Sequence, residues 1–531
     1  MYEPILHTWT GQWPTVKSTQ PLSLETGVID QAAFNAIEVD KVFESVNHAR
    51  TVVGQAVLFR SLAQPSADLE HIQAKQDAIL ELQSNAELRE QVERIVNNAA
   101  ADERSLQLLL FGEFLGSMGT AREDHQIEGF GYSQFNRGIR CLLQLVDNVQ
   151  AALQPKSTYL QSVFGKITAF SESQDYSLMQ GPVYVTEQGL KSKEERKGAF
   201  SPAIIFKPRL IKPLLIALVV ACFWAVGHFF PTAIFRISAE AIPTLSIFFV
   251  PLLLVYIPIV GGFDRDSVII PLRDRFRKSQ AVAETLDALG QLDELLSFLK
   301  YAEAFGSTTV LPEMVSAGKH QLNLHGVKNP VMGKANPEYV ANSLEMEHER
   351  LVLITGPNSG GKTAFCKTVT QVQLLAQIGC FIPAEAAVLS VADKILYQVP
   401  EISHMEDGEG RFGTELKRTK DIFLASSANS LVVLDELSEG TTFEEKMESS
   451  TNVLSGFYRK GNNTILITHN HQLVDHFVAQ KMGTALQVEF DQDHPTYRLV
   501  NGISRVSHAD RVAKKIGFSK QDIDNYLAQE Q

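Results

Sequence analysis

The sequence predicts an α/β domain with a parallel sheet over its C-terminal part, preceded by a helical domain that an apolar hairpin interrupts. Three observations carry this. From Leu351 onward, short apolar runs alternate with helical segments, as in a parallel sheet with crossover helices. From about Asp30 to Phe200, apolar residues recur at helical spacing. Between these parts, Leu214–Phe235 and Ala241–Phe263 contain no Asp, Glu, Lys or Arg.

At 531 residues the chain is long enough for several domains. The expected boundaries are an N-terminal arm over 1–29, a first helical part over 30–206, the hairpin over 207–263, returning helices over 264–325 and the α/β domain over 326–531. Four cysteines, Cys141, Cys222, Cys366 and Cys380, form no CxxC pair, which argues against a zinc site and for a reduced, cytosol-facing protein. Met1-Tyr2-Glu3-Pro4 lacks a basic segment before an apolar run, so no secretory signal is expected. The net charge of −13 is spread along the chain. Neither half is a basic domain, which weakens tight non-specific nucleic-acid binding.

In the helical part, Leu80, Leu82, Leu88, Val92 and Ile95 mark one apolar series, and Leu106–Leu115 reads as a buried helix. Gln64–Ser66 and Gly181–Val183 read as turns. Each uncharged span is about the ~20 residues a helix needs to cross a bilayer. Lys207, Arg209 and Lys212 stand before the first, and Arg265, Arg273, Arg275, Arg277 and Lys278 follow the second. The expectation is a two-span transmembrane hairpin over 214–260, with both flanking parts facing the cytoplasm. The competing expectation is a buried helical hairpin, which Pro231, Pro243, Pro251, Pro258 and His228 keep open. Beyond it, Leu286, Leu289, Leu292, Leu295, Leu296 and Leu299 predict an amphipathic helix within 264–305.

Leu351–Thr355 reads as a buried strand, followed by Gly356-Pro357-Asn358-Ser359-Gly360-Gly361-Lys362-Thr363 and then a helix. This is a phosphate-binding loop in the setting the motif requires. Its glycines let backbone N–H groups turn toward phosphate oxygens at a helix N-terminus. Lys362 is placed to reach the β- and γ-phosphates of ATP, and Thr363 to ligate magnesium. A second apolar strand, Leu431–Leu434, ends in Asp435-Glu436. Asp435 suits magnesium, and Glu436 suits polarising the attacking water. Paired acids at a strand end also occur as a plain solvated edge. A third strand, Thr464–Ile467, leads to Thr468-His469, where the histidine is either structural or a γ-phosphate sensor.

These residues resemble the ATPase core of the MutS family: GPNSGGKT, then Ile378-Gly379-Cys380-Phe381-Ile382-Pro383-Ala384, Asp435-Glu436, Gly440-Thr441-Thr442 and Thr468-His469-Asn470. Upstream, Asn47-His48-Ala49-Arg50-Thr51 with Gly54, Arg60 and Pro65, and then Gln73–Leu82, are similar to the start of that family's helical core. The resemblance implies ATP with magnesium as cofactors. It also implies a homodimer in which a loop of one subunit closes on the other's ATP. That loop is Gly410-Arg411-Phe412-Gly413-Thr414-Glu415, where Gly410 stands in place of the family's hydroxyl residue and Arg411 is an alternative cationic contact. With about thirty residues before the helical core, the family's mismatch-reading N-terminal domains are not expected here.

The reading is therefore a membrane-anchored ATPase of this type whose dimer changes conformation with ATP, with DNA left open as a partner. Two alternatives stand beside it. One is a DNA mismatch repair protein. The other is a membrane ATPase acting on a protein partner without nucleic acid. Half of an ABC transporter fits poorly, since two spans form no substrate path.

Overall fold

The computed structural model describes residues 13, 15–112, 130–195, 203–209, 212, 217, 256–357, 360–400, 410–437, 442–491, 494–504, 513 and 516–529. They form two compact units, one of 1–16, 49–57 and 85–293, the other of 17–48, 58–84 and 294–531.

In the first unit, the helices Ala86–Phe111 and Tyr132–Ala151 are the longest pair. Leu88, Val92, Ile95, Val96, Leu106, Leu109 and Leu110 are buried along the former, which follows the predicted spacing. The two come close because Gly138 has no side chain: a Cβ there would lie 2.5 Å from Cβ of Leu109. Two carboxylates serve the first turn of the helix Val52–Ala63. Asp293 accepts from the Arg50 and Thr51 N–H groups, and Glu103 from those of Val52 and Val53. Negative charge at a helix N-terminus, where N–H groups lack partners, is the favourable arrangement.

Two expectations are corrected in this unit. The helical part is not all-α: β1 (Val183–Thr186), β2 (Gly189–Lys191) and β3 (Ile204–Phe206) form an antiparallel sheet in the order β2-β1-β3. Strands of three or four residues carry too little alternation to be read from sequence.

The transmembrane hairpin is corrected as well. Among the described residues no helix is long and apolar enough to cross a membrane. The described end of the second uncharged span packs on protein instead. Tyr256 is buried, and Gly261 lies against the Phe130 ring. Asp264, just beyond, is buried with Lys212 at 2.6 Å and accepts the Tyr132 hydroxyl at 2.6 Å. Residues 218–255, which hold most of both spans, lie outside the described residues. The membrane location, with both flanking parts facing the cytoplasm, rested on those spans and falls with them. Residues 256–264 are helical and run through a π-turn, Arg265–Ile269, into the helix Ile270–Lys278.

The second unit holds two sheets. One has four strands in the order β4-β8-β5-β6: β4 (Glu313–Val315), β5 (Leu322–Val327), β6 (Asn342–Met346) and β8 (Ala386–Ser390). The other has six, in the order β13-β12-β7-β11-β10-β9. Its members are β7 (Leu351–Thr355), β9 (Ile395–Gln398), β10 (Leu431–Asp435), β11 (Asn463–Ile467), β12 (Thr484–Asp491) and β13 (His494–Asn501). Only β12 and β13 pair antiparallel; the rest of this sheet is parallel. Every residue of β7, β10 and β11 is buried, as expected of parallel strands covered on both faces.

The helix Lys362–Gln377 is buried on almost every side. It stops at Gly379, whose φ of 80° only glycine takes without strain. A Cβ at Gly379 would lie 3.0 Å from Cβ of Lys75. Lys75 is itself buried and pairs with buried Glu294 at 2.9 Å. The phosphate-loop helix thus ends on a desolvated ion pair, of a kind that costs about 3–5 kcal/mol to break from one side. The predicted returning helix runs Gln280–Ala304, and its six leucines are buried. Leu80, by contrast, is half exposed while Leu82 is buried, so only part of that apolar series faces a core.

Candidate active site

Because β7, β10 and β11 are parallel and in register, Ile354, Ile467 and Asp435 lie in one row. The residues that follow each strand therefore emerge along a single edge, the carboxyl edge where open α/β sheets hold ligands.

After Thr355 the chain turns at Gly356, with φ 134°, and reaches the helix through Gly361, with φ 84°. Both conformations favour glycine. A Cβ at Gly356 or Gly360 would lie 3.1 Å or 2.8 Å from Cγ2 of Val488 on β12. At these two glycines the loop is thus held against a neighbouring strand with no space for a side chain. Pro357 lies within it, and Asn358 and Ser359 lie outside the described residues.

Lys362 is 2% exposed, and its Nζ donates to the carbonyls of Gly356 at 2.6 Å and Pro357 at 2.9 Å. Burial pushes its pKa down to about 8, against the attraction of Asp435. A buried ammonium that satisfies only neutral carbonyls is one that an anion would stabilise.

Thr363 is exposed, and its hydroxyl donates to Asp435 Oδ2 at 3.1 Å. Glu436 leaves β10 in the left-handed region, φ 61°, and its N–H donates to the Ile467 carbonyl at 3.0 Å. That turn directs its carboxylate to His469, whose Nε2 lies 3.3 Å from Oε1. His469 is the more exposed partner, at 38% against 15%. Behind it, Asn470 accepts from the Leu473 N–H at 3.1 Å and so caps the helix His471–Ala479.

The structure thus brings Gly356, Pro357, Gly360, Gly361, Lys362, Thr363, Asp435, Glu436 and His469 to one edge. Gly410 and Arg411 open the helix Gly410–Ala425, with the Arg411 side chain outside the described residues. Of Gly440-Thr441-Thr442, only Thr442 is described, at the start of the helix Phe443–Lys460. Sequence reasoning missed Val488, which backs the loop, and Tyr497, whose Cδ1 would lie 3.3 Å from a Cβ at Gly361. Both sit on the β12–β13 pair, which adjoins β7 only through tertiary pairing.

These residues fit a magnesium nucleotide. At Gly356 and Gly360 the loop has space only for backbone, a buried cation lies beneath it, and a hydroxyl and a carboxylate stand together at the helix start. A bound phosphate–magnesium group supplies the electrophilic phosphorus and the metal's Lewis acidity. Lys362 and the loop N–H groups would hold phosphate oxygens, Thr363 and Asp435 the metal. Glu436 would be the carboxylate to orient a water and draw off its proton.

Comparison with known proteins adds the following. The family model described as MutS domain III matches residues 27–298, more than half of the chain, and that described as MutS domain V matches residues 352–529. The bounds of the first match, 27–298, enclose both uncharged spans. Over 257 residues the chain is 29% identical to the DNA mismatch repair protein MutS of Prochlorococcus marinus (strain MIT 9301), covering 46% of this chain and 28% of that protein. The protein of the same name from Parabacteroides distasonis is 34% identical over 193 residues, 35% of this chain and 22% of that one. Endonuclease MutS2 of Thermus thermophilus is 29% identical over 259 residues, 48% of this chain and 34% of that one. The matched part spans about a third or less of the length of these curated relatives.

Proposed function

This chain belongs to the MutS family, and on that premise we propose that it binds and hydrolyses magnesium ATP as a homodimer and uses the cycle to act on DNA. The single observation that carries the ATPase reading is the convergence of Lys362, Thr363, Asp435, Glu436 and His469 at one sheet edge. The homodimer follows from the exposure of Thr363 and His469, which leaves the γ-phosphate side of the site open until a second subunit covers it. DNA as the partner is supported by the names of the relatives, although each name describes a protein much longer than the matched part.

Three results are expected. ATP with magnesium doubles the mass seen by light scattering in a variant that cannot hydrolyse, and a monomer at every concentration with ATP bound would sink the dimer. Duplex, branched or single-stranded DNA changes the ATPase rate, and binding weakens steeply with salt as phosphate contacts require. Activity that ignores every DNA form would favour a protein partner, a reading that the acidic balance of −13 supports.

The third result concerns pH. Lys362 titrates near 8 in the unliganded fold, below its ordinary 10.5, because burial penalises its charge. That penalty weighs on the folded state below about pH 8 and is relieved as the pH rises from there toward 10.5. A bound phosphate favours the charged form, so binding takes up a proton above pH 8. ATP affinity should then fall with rising pH by at most about tenfold per unit. Calorimetry at pH 7 and pH 9.5, in two buffers of different ionisation enthalpy, reads both the affinity and the proton. An affinity independent of pH, with no proton uptake, would contradict a Lys362–phosphate contact.

A further inference from the structure

Tyr397 lies on β9 at the rim of the six-stranded sheet and is 1% exposed. Its hydroxyl is buried and has no hydrogen-bond partner among the described residues. Such a group costs stability unless something else in the working cycle satisfies it. Its place in the sheet indicates what that could be. Tyr397 stands opposite Val433 in the parallel β9–β10 pair. Side chains alternate along a strand, so Tyr397, Val433 and Asp435 belong to the same face. The Asp435 carboxylate is the next side chain along that face toward the carboxyl edge, roughly 6–7 Å farther by strand rise. Thr363, at the start of the phosphate-loop helix, bonds Asp435 from that side.

We propose that Tyr397 is a positioning residue for the magnesium site, its hydroxyl donating to the Asp435 carboxylate when the metal nucleotide is held. This rests on the ATPase reading above. Burial, with the Cys366 thiol and the Asp435 carboxylate nearby, raises the phenol well above its ordinary pKa, so the group stays a donor throughout the working pH range. In the unliganded chain Asp435 takes its bond from Thr363. Thr363 and Asp435 would hold the metal together, and Asp435 would then lose the bond it takes from Thr363. A second donor from beneath would then fix its angle, as outer groups orient metal-binding carboxylates generally.

The test is Tyr397→Phe in the full chain, read without turnover. Binding of a fluorescent ATP analogue is titrated with magnesium, and again in EDTA. The melting temperature is measured without nucleotide. The expected results are an unliganded melting temperature equal to or a few degrees above wild type, unchanged binding in EDTA, and a magnesium requirement raised roughly tenfold, the loss of one hydrogen bond to a charged group. In an Asp435→Asn background the same substitution should leave the magnesium requirement unchanged, because the residue acts through that carboxylate. A Tyr397→Phe protein with an unaltered magnesium requirement overturns the inference. So does one whose unliganded melting temperature falls while the requirement moves equally with and without Asp435. If Tyr397→Phe does not fold, Tyr397→Met takes its place under the same criteria. A wild-type chain that binds no nucleotide overturns the ATPase reading and this one together, whereas a wild type that binds with the variant its equal overturns this one alone.

Discussion

Lys362→Ala is expected to abolish detectable ATP binding and turnover, a loss on the order of 10²–10⁴-fold in affinity from two or more charge-assisted hydrogen bonds. The size follows from where the ammonium sits. It is 2% exposed and held by the carbonyls of Gly356 and Pro357, so its charge is poorly solvated before a ligand arrives. A phosphate reaching that position meets an ammonium that has already lost its water, and little of the attraction is spent on desolvation. Lys362→Met keeps most of the volume and removes the charge, so it separates packing from electrostatics. Both variants should fall together in equilibrium binding while their melting temperatures stay near wild type. Lys362→Met binding within threefold of wild type would show that the charge is not what holds the nucleotide.

Glu436→Gln should bind ATP as tightly as wild type and lose turnover by roughly 10²–10⁴-fold, the usual contribution of a general base. The amide has the same shape but no free carboxylate, and the left-handed turn that aims the side chain is a backbone property. His469, 3.3 Å away, should keep its place. Single-turnover assays beside binding titrations separate the two steps. Near-normal turnover in Glu436→Gln would pass the role to His469, for which His469→Ala is the next variant. A further consequence concerns strain. A non-glycine residue at φ 61° costs about 1–2 kcal/mol. Glu436→Gly should therefore be inactive yet melt no lower than wild type, since a strained backbone here serves the aim of the carboxylate.

Whatever neighbours in the chain can specify was legible in the residues alone. The runs Leu351–Ile354 and Leu431–Leu434 are apolar along their whole length because both sheet faces are covered. Asp435-Glu436 comes directly after one such run and His469 two residues after the strand that ends at Ile467, and the order of glycines, lysine and threonine marks a phosphate loop in any fold. The long helix Gln280–Ala304 was legible from its leucines. Tertiary structure decided the rest. The uncharged spans Leu214–Phe235 and Ala241–Phe263 read alike for a bilayer and for a protein interior, and the described end of the second packs on Phe130 beside the pair that Lys212 makes with buried Asp264. The three short strands between Val183 and Phe206 have too few residues for a period. Val488, Tyr497 and Tyr397 carry no local signal, because each gains its meaning from a strand pairing that brings distant residues together. Periodicity and motif spacing are short-range properties written in consecutive residues. The fit of Val488 behind two glycines, or of an unpaired phenol below Asp435, exists only once separate strands share one sheet.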